Sequence, residues 1–306
     1  MANDHRQGRT FGLRQRDNRD GLVMVLPVIV IVVATIVIPI AWNVILAFQD
    51  KTFTSLRKNG LFGPLSFTNF VSALGDERFL ASLGTTIVFS LGATIGSIIA
   101  GLIVALAFRR PFRGRGPLRA LLLLPYVAPV VAVAYTWSIM LHPQYGILNH
   151  LGTTLLGWEH PVDFLGTPGW AMVTVIAFEI WRYFPFAVIF LSAALLGLPK
   201  DVDEAALIDG ATPWQSFRHV LLPQLMPVIA LLSVLRLIVT FNKFDDIFLL
   251  TGGAAGTEVA AIRIYNLLVG RFDISGAAAN ALVLCVVMAV ALVAYLALTR
   301  REERAG

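Results

Sequence analysis

"DEAALIDGATPWQSFRHVLLP", residues 203–223, is a polar and well-capped stretch set between two long apolar runs. Two helix starts follow each other closely in it. Asp201 to Glu204 reads as an N-cap followed by an acid at the third helical position. Acidic side chains there also suit the positive end of the helix dipole. That first helix is expected to stop at Gly210, a natural residue just past a helix end. Thr212, Pro213 and Gln215 then restart it as cap, first residue and capping-box partner. The second helix is expected to run through Phe217 and Val220 to a break at Pro223. The product is a helix–turn–helix of about twenty residues.

The surroundings say where this element sits. The chain has 306 residues, of which 57% are hydrophobic and 14% charged. A soluble domain carries about 25% charged residues. Residues 21–49, 79–108, 120–141 and 274–299 contain no charge. Each exceeds the roughly 20 residues that a helix needs to cross the hydrocarbon core. Two less clean runs, 170–197 and about 226–250, hold Glu179 with Arg182, and Arg236 with Lys243, Asp245 and Asp246. The expected fold class is all-α: a polytopic membrane protein with six transmembrane helices. The first run is too long for a signal-peptide core and is read as a retained helix. The expected organisation is a basic tail over 1–20, a six-helix transmembrane domain over 21–300, and a short C-terminal tail over 301–306.

Positive charge sets the orientation. With both termini in the cytoplasm, fifteen Lys and Arg fall inside, in the tail, the loop around 109–119, the loop 198–222 and the C-terminus. Only six fall outside, namely Lys51, Arg57, Lys58, Arg78, Arg263 and Arg271. Both termini are therefore expected inside. The net charge of +5 is read as orientation and contact with anionic lipid, with no nucleic-acid partner expected. Cys285 is the single cysteine, so no internal disulfide is possible. His142, His150 and His160 lack zinc-ligand spacing, and no metal site is expected. No G-x-x-x-x-G-K-[ST] run occurs, so no ATP site of that kind is expected in this chain. No hydrolase-type constellation stands out, and no catalytic residue is assigned. In the outer loops, "SFTNFVSAL" (66–74) is expected to form a short interfacial helix, and 251–257 (TGGAAGT) a flexible turn.

The run Glu204-Ala205-Ala206, then Asp209-Gly210-Ala211, then Leu222-Pro223 and Pro227, resembles the EAA loop of ATP-binding-cassette (ABC) importer permeases. "LLLLPYVAPVV" (121–131), "WRYFPF" (181–186) and "FNKFDDIFLLTGG" (241–253) resemble the carbohydrate-uptake branch, in particular the half related to the larger maltose-type permease subunit. The resemblance implies a type I importer permease fold and a non-catalytic subunit of a bacterial or archaeal inner membrane. It implies a coupling loop over 200–223 that docks on an ATPase. It implies a second homologous permease, two ATPase subunits that bind the ATP and Mg, and an extracytoplasmic substrate-binding protein. No cofactor is implied for this chain itself.

Intramembrane ionisable residues suggest a pathway. Glu179 and Arg182 share a face at i, i+3, either as a self-neutralising packing pair or as polar lining of a cavity. The resemblance places sugar contacts on Tyr126, on Glu179, Tyr183 and Phe186, and on Arg236, Thr240 and Lys243, with Arg182 added for its charge and depth. These charges depart from the maltose-type pattern. A sugar, a polyol or a glycerophosphodiester remain open as cargo. An ion-coupled secondary transporter is the rival class, and neither the repeats it often shows nor its lack of a docking element is seen here.

Overall fold

A computed structural model describes residues 24–60, 62–109, 111–198 and 208–305. The tail 1–20, Lys200 and the Glu204-Ala205-Ala206 triplet lie outside these residues. No strand forms among the described residues; a single antiparallel bridge joins Thr52 to Asp273. Among the described residues five helices are long and apolar enough to cross a membrane, and there are six if a bent pair counts as one span.

The long helices are α1 (Met24–Ala47), α4 (Glu77–Ala107), α8 (Trp170–Gly197), α9 (Pro213–Phe241) and α12 (Ile274–Ala305). The bent pair is α5 (Arg115–Val127) and α6 (Val130–Met140), which meet at 95°. Three short helices decorate the loops on one side: α2 (Phe53–Asn59), α3 (Thr68–Gly75) and α7 (Ile147–Leu155). Two more, α10 (Asp245–Thr251) and α11 (Ala260–Gly270), lie between α9 and α12.

Prolines explain where this differs from the sequence reading. The run 120–141 is not one straight helix. Pro129 cannot donate a backbone hydrogen bond and forces the residue before it out of the α region, so Ala128 is extended and Pro129 caps α6. Pro223 has the opposite outcome. The expected break there does not occur: a π-turn over Phe217–Leu221, closed by Leu222 N–H donating to Phe217 O, takes up the proline ring and the helix continues to Phe241. The helix that carries the fifth crossing is therefore longer at its start than the expected span 226–250, beginning at Pro213, and it ends at Phe241, before Lys243. The same device precedes Pro39 in α1, where a π-turn spans Val33–Val37. At the chain end, α12 runs on through the expected tail to Ala305, because Arg and Glu are good helix formers.

Packing centres on α4 and α8. In lipid there is little hydrophobic drive between helices, so close approach of small residues carries much of the association. Gly92 and Gly96 of α4 lie against Ile176 and Ile180 of α8, and a Cβ at either would press on those side chains. Gly101 is less forgiving: a Cβ there would collide with Ala187 and press on the backbone at Phe184 O and Val188 N. Phe89 and Ala93 of α4, Val175 and Phe178 of α8, and Val133 and Ala134 of α6 form one buried cluster with Ile247, Leu250, Val259 and Ile262. Helix α1 is apolar all round and almost wholly exposed, as a lipid-facing helix should be, and touches the rest through Leu46 and Ala47 against Ala278 and Ala279 of α12.

The outer loops are built rather than loose. Buried Lys51 donates to Gly60 O at 3.1 Å and Phe62 O at 3.3 Å. Asp76 caps α4 through Arg78 N–H at 2.9 Å and pairs with Arg263 of α11 at 2.6 Å. Burial alone would raise the Asp76 carboxyl, but the Arg263 hydrogen bond and charge, with backbone donors, hold it below the usual carboxylate range. Residues 251–257 form a hydrogen-bonded turn. Gly252, Gly253 and Gly256 take positive φ, and the Thr251 and Thr257 hydroxyls meet at 2.6 Å. Cys285 is exposed on α12.

Replacing Gly101 with Leu is expected to destabilise the α4–α8 pairing by about 1–3 kcal/mol. It should lower the thermal midpoint and the monodisperse fraction in detergent. A Cβ at Gly84 of the same helix would meet nothing within 4 Å, and Gly84→Ala should leave the midpoint unchanged or raise it.

Candidate functional site

Helices α5, α8 and α9, with the turn into α10, bring the charged residues of the membrane-embedded region together. Glu179 and Arg182 sit on α8, one turn apart, and both are buried. They do not pair. Glu179 Oε1 instead accepts from Arg236 Nη2 at 2.9 Å, across to α9, with both side chains almost fully enclosed. The self-neutralising i, i+3 pair considered from sequence is thus replaced by an interhelical one. The physical reason is reach: the α8–α9 contact puts an arginine fork directly opposite the carboxylate.

Tyr183 is the hub. The Arg236 guanidinium lies 4.3 Å from its ring centroid, a cation–π distance. Lys243 Nζ donates to its hydroxyl at 2.7 Å. Tyr126, from α5, meets Tyr183 edge-on at 5.7 Å and Phe186 at 6.1 Å. Thr240 sits one turn after Arg236, donates to its carbonyl at 2.8 Å, and meets Thr94 of α4 at 3.1 Å. All eight residues singled out for a pathway therefore fall in one neighbourhood of α5, α8, α9 and the following turn, with Arg182 at its edge, 5.7 Å from the Tyr183 ring.

Sequence reasoning missed three contributors. The second buried acid is Asp246: its Oδ2 lies 3.1 Å from Lys243 Nζ and its side chain is 2% exposed. Asp245 also reaches Lys243, at 3.2 Å, but its side chain is 49% exposed. The two differ because they lie on successive positions of α10, and only Asp246 is i+3 to Lys243 and faces inward. Thr94 was hidden because a threonine in an apolar helix usually bonds back to its own turn. Trp137 of α6 packs on Phe178 at 5.2 Å and Trp181 at 5.5 Å, which closes the aromatic side of the site. That contact depends on the bend at Pro129, which no local pattern shows.

Chemically the cluster is formally balanced. Arg182, Arg236 and Lys243 stand against Glu179, Asp245 and Asp246. It still holds unused hydrogen-bonding capacity. Glu179 Oε2, Arg182 Nε and Nη1, Arg236 Nε and both Asp246 oxygens are buried without a protein hydrogen bond. The Asp246–Lys243 contact is close enough for an ion pair, but its angle does not make it a hydrogen bond. Aromatic faces beside unpaired donors and acceptors suit a polyhydroxyl ring. Among the described residues, no group of three or more His, Cys, Asp or Glu is arranged to hold a metal.

The other candidate element is the helix–turn–helix. Of this element the structure describes the part from residue 208 on, where Gly210 takes φ +73°, the left-handed conformation expected just past a helix end. The Thr212 capping box forms in both directions: Gln215 N–H to Thr212 Oγ1 at 3.4 Å, and Thr212 N–H to Gln215 Oε1 at 2.8 Å. Asp209 and Gly210 are exposed, Ala211 and Leu222 are half-buried and Pro223 is exposed. Ile208 and Trp214 are 86% and 64% exposed, an apolar tip beyond the membrane-crossing part of α9.

Removing one member of the Glu179–Arg236 pair strands a buried charge. Glu179→Leu alone is expected to cost about 3–5 kcal/mol, and the double variant Glu179→Leu/Arg236→Met to recover most of it. A denaturation double-mutant cycle in detergent measures this, and additive losses would argue against the pair.

Comparison with known proteins bears on both elements. Residues 97–304 match the family described as "binding-protein-dependent transport system inner membrane component". The inner membrane ABC transporter permease protein YcjO of Escherichia coli is 38% identical over 236 residues, covering 77% of this chain and 78% of the relative. The trehalose/maltose transport system permease protein MalF of Thermococcus litoralis is 33% identical over 277 residues, covering 88% and 90%. A crystal structure of a bacterial ABC transporter involved in the import of the acidic polysaccharide alginate has a matching chain with TM-score 0.80 and 25% identity, covering 94% of this chain and 98% of that one.

Proposed function

The chain belongs to the family of binding-protein-dependent transport system inner membrane components, and on that premise we propose that it forms half of the translocation pathway of an ABC importer for a sugar. The observation that carries the reading is the Thr212-capped helix start, set after the Gly210 turn and continuous with a membrane-crossing helix that bears the buried cluster. The relatives' names, trehalose/maltose among them, support the sugar class. So does the balance of charge: a net-neutral, hydrogen-bonding, aromatic site suits a neutral polyhydroxyl solute better than a glycerophosphodiester, which would need an uncompensated cation.

The continuity of α9 supplies the mechanism. From Thr212 to Arg236 the helix is ~36 Å long at 1.5 Å per residue. Movement at the Thr212 end reaches the Glu179–Arg236 pair through one continuous helix, with the π-turn over Phe217–Leu221 as the place where it can flex. In this proposal the cytoplasmic face carries both termini and the loop 200–223. Two ATPase subunits, which bind the ATP and Mg, dock on this loop and its counterpart in a second, homologous permease. Glu204, Ala205 and Ala206 supply the charge and the close approach, and Asp209, Gly210, Ala211, Leu222 and Pro223 shape the turn and its exit. ATP-driven closure draws the two loops together, and the cavity turns outward to receive solute from an extracytoplasmic binding protein. ATP favours that state only through its differential interaction with the two arrangements. This chain turns over no ATP itself.

Glu204→Lys is expected to abolish uptake and the solute-stimulated ATPase of the assembled transporter while leaving membrane insertion intact; normal uptake would sink the docking assignment. Tyr183→Ala removes the ring and hydroxyl on which Arg236 and Lys243 rest. It should lower sugar uptake about tenfold or more without loss of assembly. Uptake unchanged in this variant would remove the cluster from the pathway.

A further inference from the structure

The membrane-embedded cluster absorbs the acids of the spans, but it leaves one basic feature of the fold unexplained. Between α5 and α8 runs an apolar groove of about 260 Å³, floored by Pro185, Val188 and Ile189 of α8 and walled by Leu122 and Leu123 of α5. At one end it meets Arg119, and a smaller recess continues from there to Arg109 and Arg115. Arg119, Ser192 and Leu196 line both. Among the described residues the two linings hold three arginines and no acidic residue.

Two buried polar atoms in this place have no protein partner: Arg115 Nε and Ser192 Oγ. A serine inside a helix usually donates to the carbonyl one turn back, and Ser192 does not. A buried guanidinium nitrogen without a partner is costly unless an anion or water meets it. The apolar groove alone would suit any lipid tail. Arg115 and Arg119, with an unpaired guanidinium nitrogen and a hydroxyl lining the same recess, add a demand for an anionic headgroup. We infer that α5 and α8 form a binding site for an anionic phospholipid, its phosphate at Arg115, Arg119 and Ser192 and one acyl chain in the groove along Leu122, Val188 and Ile189.

The position agrees with the charge distribution. The recess lies at the end of α5 that carries the arginine-rich loop, which the orientation proposed above puts in the cytoplasmic leaflet, where anionic lipids attract basic segments. The groove also runs along the face of α8 that follows Pro185, directly after Arg182 and Tyr183. A lipid seated there would brace α8 against α5 beside the buried cluster.

The test uses the intact chain in its assembled transporter, extracted in mild detergent and delipidated. Thermal stability is titrated with phosphatidylglycerol, with phosphatidylcholine of the same acyl chains, and with inorganic phosphate. Phosphatidylglycerol alone is expected to raise the midpoint. In Arg115→Gln/Arg119→Gln its half-saturating concentration should rise about thirty-fold. Ala193→Phe, which fills the groove and leaves the arginines in place, should abolish the response, so a misfolded arginine variant cannot by itself decide the matter. An equal response to phosphatidylcholine would reduce the site to an ordinary lipid-facing groove. A response to phosphate alone would make it an ion site. No response to any lipid, as when the second permease subunit covers the groove, would overturn the proposal, and so would an unaltered response in both variants.

Discussion

The 2.9 Å contact between Glu179 and Arg236 joins two membrane-crossing helices at a point where neither charge could stand alone. A buried ion pair need not add stability over an apolar substitute, because both ions lose their water. What it does is restrict the arrangement: α8 and α9 have one relative position in which carboxylate and guanidinium meet. Tyr183 then lies under Arg236, Lys243 finds the Tyr183 hydroxyl, and Asp246 closes on Lys243. Tyr126 joins only because α5 packs on α8. The polar site is thus a consequence of how three helices cross, and the small residues along α4 are what let α8 come close enough to complete it.

Backbone hydrogen bonding is the second constraint, and the prolines show both ways of meeting it. In lipid every broken backbone bond needs a substitute. At Pro129 the chain accepts a break, and α6 turns through 95° to carry Trp137 against Phe178. At Pro223 a π-turn preserves the helix, and the Thr212-capped stretch becomes the first turns of α9. The two outcomes divide the labour of the fold. A break shapes the aromatic wall of the site, and a preserved helix connects the site to the exposed tip at Trp214.

Local chemistry was the readable part. The apolar runs were visible because lipid demands long uncharged helices. The Thr212 capping box and the Gly210 turn were visible because they involve residues three apart or a single φ angle. The short helix at Thr68–Gly75 came from the same kind of signal. Among the buried charges, residue type and depth pointed to the right neighbourhood but not to the right partners. Asp246 and Thr94 escaped for that reason, as did the hydrogen bonds of the turn over 251–257.

By itself, then, the sequence determined that this is a bundle of membrane-crossing helices with a capped element between two of them, since helix length, capping and turn conformation depend on near neighbours along the chain. Only the tertiary structure decided that Glu179 pairs with Arg236 rather than Arg182, that Asp246 is the inward acid, and that the helix runs on through Pro223. Each of those outcomes turns on which side chain or carbonyl lies across a helix contact, a distance that no spacing in the chain encodes.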